Sequence, residues 1–129
     1  MAQATRAAVR TRAADSCEYC QRSQSNSPLI PLQIEHVVPR KHCGPDALDN
    51  LALACAECNL HKGSNLTGLD PETDQITPPF HPRRDSWSDH FAWDGLSIVG
   101  LSPIGRTTVR VLALNTPARL RVRMATGAD

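Results

Sequence analysis

Cys17-Glu18-Tyr19-Cys20 and Cys55-Ala56-Glu57-Cys58-Asn59 are the stretches on which the reading of this 129-residue chain turns. Each holds a CxxC pair, and 34 residues lie between Cys20 and Cys55. Four thiolates delivered by two such turns meet the tetrahedral demand of a structural zinc ion, with Cys17, Cys20, Cys55 and Cys58 as ligands. Between the pairs stand Glu35-His36 and Asn50, and Asn59 follows the last cysteine directly. An acid, a base and two amides framed by metal ligands mark a candidate reaction centre. A CxxC redox protein is a poor alternative, because neither pair sits in a thioredoxin-like βαβ setting.

Composition limits what such a chain can build. Ten prolines set against two Trp, two Phe and one Tyr imply a modest core with many turns. A bound zinc ion then supplies a large part of the folding free energy, on the order of 10 kcal/mol. No run approaches the roughly 18 apolar residues that a membrane span requires. Met1 to Asp15 is rich in Ala and Arg but has no apolar h-region, which argues against a secretory signal. Unpaired CxxC motifs suit a reducing compartment, so a cytoplasmic location is expected. Net charge is +1, too small by itself to establish a DNA partner. From Leu101 to Ala128 there are five arginines (Arg106, Arg110, Arg119, Arg121, Arg123) and no acid, and with Arg6, Arg10 and Arg12 they permit a basic face. The plainer reading of these arginines is a solvated helix surface.

Local signals order the elements. Residues 4–14 suit a short helix leading into the first knuckle. Residues 29–38 are rich in Leu, Ile and Val, with Pro31 inside the run and Pro28 and Pro39 flanking it, which favours an extended edge strand. Residues 39–50 read as polar loop, 51–54 as a short apolar strand, and 55–64 as a helix closed by Gly63. Residues 69–79 form a turn-rich connector. Asp94-Gly95 signals a β-hairpin. Ser102-Pro103 and Thr116-Pro117 each pair an N-cap with proline at the first helical position, predicting one or two further helices, although Thr107, Thr108, Val109 and Val111 also suit a strand. The expected class is α+β, with residues 1–66 as core and residues 67–129 as a C-terminal extension packed on it. Trp87, Phe91 and Trp93 are expected to pack the second half against the first.

At roughly 100° per residue, Cys55, Cys58, Asn59 and Lys62 share one helix face while His61 lies off it. His36 is the natural general base, with an unperturbed pKa near neutrality. Glu35 offers a hard oxygen ligand for Mg²⁺ or Mn²⁺. Adjacent strand residues point to opposite faces, however. For Glu35 and His36 to serve one site, the strand must twist, bulge or end there, and Pro39 makes an ending plausible.

The runs Ile34-Glu35-His36-Val37-Val38-Pro39-Arg40, Asp49-Asn50-Leu51-Ala52-Leu53-Ala54-Cys55 and Cys58-Asn59-Leu60-His61-Lys62-Gly63 resemble the HNH endonuclease family. The resemblance covers about residues 17–64 and implies the ββα-metal fold flanked by zinc knuckles. It implies His36 as the base that activates water, Glu35 as ligand of the catalytic metal, and Asn50 as brace of the loop that orients His36. The family's last His falls on Asn59, giving a His-Asn-Asn variant whose amide oxygen still suits Mg²⁺ or Mn²⁺. Glu35 also stands where Asp is frequent. The implied reaction is single-metal hydrolysis of DNA, leaving 5′-phosphate and 3′-hydroxyl ends. In it the cation on Glu35 and Asn59 stabilises developing charge while His36 deprotonates the in-line water. Lys62 and, less directly, Arg40 and Lys41 are candidate phosphate contacts. Cys43 is read as a spare thiol in a loop where the family often carries Gly. Residues 67–91 also resemble a recurrent extension of bacterial HNH proteins. The competing expectation is a catalytically inactive, zinc-stabilised module that binds nucleic acid or protein.

Overall fold

The computed structural model describes residues 1–127, which divide into two compact units, the first of residues 1–64 and the second beginning at Asn65. In the first unit, helix α1 (Gln3–Arg12) precedes the first knuckle. Strands β1 (Gln33–His36) and β2 (Leu51–Ala54) follow, and then helix α2 (Ala56–Lys62). The strands pair antiparallel in unbroken register, from Gln33 opposite Ala54 to His36 opposite Leu51. Strand β2 is buried along its whole length, so its run of Leu and Ala forms the floor of the unit. This is the strand–loop–strand–helix order read from the sequence.

The first strand is shorter than the apolar run that suggested it. Pro28 and Pro31 cannot donate to a ladder. The Gln24 side chain instead ties down residues 27–32, donating to the Ser27 carbonyl and accepting from Leu32 N–H at 2.7 Å. Leu29 is left 92% exposed at the tip of that turn. The first knuckle extends the sheet, because Glu18 N–H donates to the Leu53 carbonyl and the Glu18 carboxylate accepts from Leu53 N–H.

The second unit carries two short strands, β3 (Gly68–Leu69) and β4 (Ile76–Thr77), and a one-turn helix α3 (Trp87–His90). Then come hairpin strands β5 (Phe91–Asp94) and β6 (Ser97–Gly100), helix α4 (Pro103–Val111) and helix α5 (Pro117–Thr126). The hairpin that Asp94-Gly95 signals forms, with its two-residue turn at Gly95-Leu96, one residue later than that pair, since Asp94 still pairs with Ser97; Gly95 takes φ 61°. Ser102 accepts from Gly105 N–H and Thr116 from Arg119 N–H, so both predicted N-caps form. Helix α4 lies on β6 so closely that a Cβ at Gly100 would stand 2.3 Å from Arg106 N. Trp87, Phe91 and Trp93 stack along the hairpin, with Phe80 edge-on to Phe91 at 5.3 Å. These contacts lie within the second unit.

Five of the eight arginines that could form a basic face, Arg10, Arg12, Arg106, Arg119 and Arg123, do other work, while Arg6, Arg110 and Arg121 are exposed. Arg106 grips buried Asp70 through Nε at 3.0 Å and Nη2 at 2.8 Å, and also pairs with Glu72. Arg119 donates to the carbonyls of Leu112 and Ala113, and Arg123 to those of Leu114 and Leu96. Guanidinium groups there satisfy carbonyls of the turn that follows α4 and of the hairpin turn. In the first unit, Arg10 donates to the Leu32 carbonyl, and Arg12 to those of Leu48 and Leu51. Much of the formal basic charge is thus spent on backbone. Among the described residues, no helix is long and apolar enough to cross a membrane.

Candidate functional site

Two CxxC turns bring Cys17, Cys20, Cys55 and Cys58 together with every sulfur within 4.8 Å of the others, and all four are buried. The Cys20 and Cys55 sulfurs lie 3.7 Å apart. A tetrahedral zinc with bonds near 2.3 Å separates its sulfurs by about 3.8 Å, so the cluster is a metal site suited to zinc. Backbone N–H groups of Cys20 and Cys58 point at the sulfurs of Cys17 and Cys55, at 3.5 and 3.4 Å. Burial pushes the Cys17 thiol well up, while hydrogen bonding led by Cys17 brings Cys55 down to about 7. A bound dication is what lets four crowded thiols ionise together. Arg22 pairs with Glu57 at 2.9 Å and ties one knuckle to the other.

Beside this cluster, β1, the following loop and α2 surround a shallow hollow of about 280 Å³. Ile34, Glu35, His36, Pro39, Arg40, Asn59 and Gly63 line it. The His36 Nε2 lies 2.6 Å from Asp46 Oδ1, and Arg40 reaches the same carboxylate at 3.1 Å. Those two partners hold the Asp46 carboxyl below the usual carboxylate range, so it is ionised at neutral pH. The other ring nitrogen of His36, Nδ1, has no partner among the described residues.

The loop that ends β1 is held by Asn50, which is buried. Its Oδ1 accepts from Val38 N–H at 2.8 Å, and its Nδ2 donates to the carbonyls of Val38 and Pro45, both at 3.0 Å. Gly44 passes beneath this bracket, where a Cβ would stand 1.6 Å from the Val38 carbonyl oxygen. Cys43, exposed, takes φ 67°, a left-handed conformation that glycine adopts more freely.

Glu35 does not face the hollow as a free ligand. The strand runs without a bulge, so alternation sends Glu35 inward and His36 outward. Glu35 is 5% exposed, accepts a hydrogen bond from the Tyr19 hydroxyl and pairs with Lys62 Nζ at 3.0 Å. Burial raises its pKa, against the opposing pull of Lys62. Asn59 donates Nδ2 to Gln33 Oε1 at 2.6 Å, leaving its Oδ1 without a protein partner among the described residues. The expected cation pair, Glu35 with Asn59, therefore does not fit a hard dication as folded. A cation at Glu35 would lie against the Lys62 ammonium, which is itself buried and has no water to retreat to.

Lys62 departs from expectation as well. It shares the face of α2 with Cys58 and Asn59, and His61 is exposed, as helical spacing requires. Yet Lys62 is only 1% exposed and donates to the carbonyls of His36 and Val37 at 3.1 and 2.8 Å. Its three protons are consumed inside the fold, which removes it as a phosphate contact. Arg40, with its side chain 66% exposed, remains available at the rim. The residues that sequence reading did not single out are Tyr19, Gln33, Asp46 and Gly44. Tyr19 alone carried a signal, being the one tyrosine of the chain and enclosed by zinc ligands.

Residues 17–65 match the family model described as HNH endonuclease. No curated protein and no solved structure matches the chain.

Proposed function

We propose, from the membership of residues 17–65 in the HNH endonuclease family, that the chain is an endonuclease that hydrolyses phosphodiester bonds in DNA. The observation that carries this reading is the His36–Asp46 contact of 2.6 Å at the edge of a polar hollow. A base whose far nitrogen is engaged by a carboxylate leaves the near nitrogen to take a proton from water. Asp46 orients the ring and steadies the imidazolium that forms. Asn50 braces the loop behind it, and Arg40 meets the phosphate. Asn59 lines the same hollow. The cysteine cluster holds zinc as a structural ion, and its reduced thiols favour a cytoplasmic setting. Glu35, already engaged by Tyr19 and Lys62, holds no cation in this reading.

Supercoiled plasmid incubated with the protein in Mg²⁺ or Mn²⁺ should be nicked. His36→Ala should lose that activity by a factor of about 10² or more while keeping its zinc. Nicking undiminished in this variant rejects the base assignment. A second reading, a zinc-stabilised nucleic-acid or protein binding module without catalysis, draws on the sequestration of Glu35. It predicts no nicking by the wild type in either metal.

A further inference from the structure

Two side chains reach Glu35, and each arrives on a different zinc knuckle. Tyr19 lies between the ligands Cys17 and Cys20, and Lys62 lies one helical turn beyond the ligand Cys58. Tyr19 is fully buried and Lys62 nearly so. Besides its ion pair with Glu35, Lys62 donates to the His36 and Val37 carbonyls, so it grips the backbone that carries the base. We infer that Tyr19, Glu35 and Lys62 form a buried clamp through which the two zinc knuckles position His36, with Tyr19 and Lys62 as positioning residues of the hydrolytic centre. The inference rests on the nuclease reading for its kinetic consequence and on geometry alone for the clamp.

The chemistry of the three groups favours a fixed arrangement. A buried carboxylate with one hydroxyl donor and one ammonium donor is satisfied, and removing either donor leaves an orphan that must find another partner. The nearest freedom lies in β1 itself, where a shift of Glu35 carries His36 with it. A displacement of the base of about 1 Å is enough to cost as much as a hundredfold in rate. Zinc binding thereby sets the position of a residue it does not touch.

Tyr19→Phe removes one oxygen and keeps the ring in its packing, and Lys62→Met removes the ammonium but keeps most of the stem. Three measurements on the full chain separate the outcomes: zinc content, nicking kinetics in Mg²⁺, and the ring signals of His36 by NMR. Both variants should retain zinc, lose about fivefold or more in kcat with KM within about twofold, and need the same Mg²⁺ concentration for half-maximal rate. The His36 ring signal should shift or broaden in both, and stay at its wild-type position in His61→Ala, a change on the exposed face of α2. An unmoved His36 signal in Tyr19→Phe and Lys62→Met overturns the clamp. So does a fivefold or greater fall in the Mg²⁺ requirement of Lys62→Met, which would mean that the lysine had been competing with a cation for Glu35. A wild type that cuts nothing defeats the nuclease reading, while the NMR comparison still decides the clamp.

Discussion

The imidazole of His36 and the carboxylate of Asp46 meet at 2.6 Å across the loop that follows β1. Nine residues of intervening chain are folded so that a carboxylate returns to the ring, with Asn50 bracketing the turn. Asp46→Asn keeps a hydrogen-bonding group but removes the charge. It should lower kcat for plasmid nicking by about tenfold, part of the 10²–10⁴ that a positioned general base supplies. KM should hardly change. Steady-state nicking by purified variants measures the split, and a wild-type kcat would remove Asp46 from the site.

The metal cluster governs the first unit. Stripping zinc with a strong chelator, or replacing a ligand as in Cys55→Ser, should unfold residues 1–64, since binding is worth about 10 kcal/mol to so small a core. Far-ultraviolet circular dichroism with zinc content measured in parallel reads this directly. A Cys55→Ser protein that stays folded with a full complement of zinc contradicts the assignment.

Asn50 serves three backbone groups at once. Asn50→Ala removes the side-chain partner of Val38 N–H and of two carbonyls in a part-buried bracket, and should destabilise by about 1–3 kcal/mol. Gly44→Ala should also destabilise, because its Cβ would overlap the Val38 carbonyl and force the bracket apart. Denaturant midpoints of the two variants test both expectations. Activity should fall with each, as the loop presents His36 and Asp46 together.

Acid should act on the second unit through Asp70. Arg106 holds that carboxyl far below the usual range in the folded chain. A carboxylate whose folded pKa is depressed contributes stability above its unfolded value, near pH 4, and loses it as pH falls toward the folded value. Thermal unfolding followed from pH 6 to pH 2 should therefore show a loss of stability below about pH 4 that Asp70→Asn lacks. Identical profiles for the two proteins would refute the coupling.

Much of the architecture was legible before any coordinates. The two CxxC pairs imposed the metal cluster, because four thiols at that spacing have few other uses. Ser102-Pro103 and Thr116-Pro117 marked helix starts that formed as capped. Helical periodicity correctly grouped Cys58, Asn59 and Lys62 on one face with His61 off it, but did not show that Lys62 would be buried there. Strand β1 was overestimated because an apolar run with prolines reads as extended, whereas the Gln24 side chain captures residues 27–32 in a turn.

The chain by itself determined the metal ligands, the ββα order and the presence of His36 beside an acid, since these follow from local spacing and periodicity. What each charged group does was decided only in three dimensions. Whether Glu35 meets a cation or a lysine depends on which strand face closes against α2, and alternation states that the two neighbours separate without saying which goes inward. Arg119 and Arg123 likewise read as surface charge until the carbonyls of the turn that follows α4 claimed them. A charge in a sequence has no partner written beside it. Burial selects one, because an ionised group removed from water must be matched where it lies.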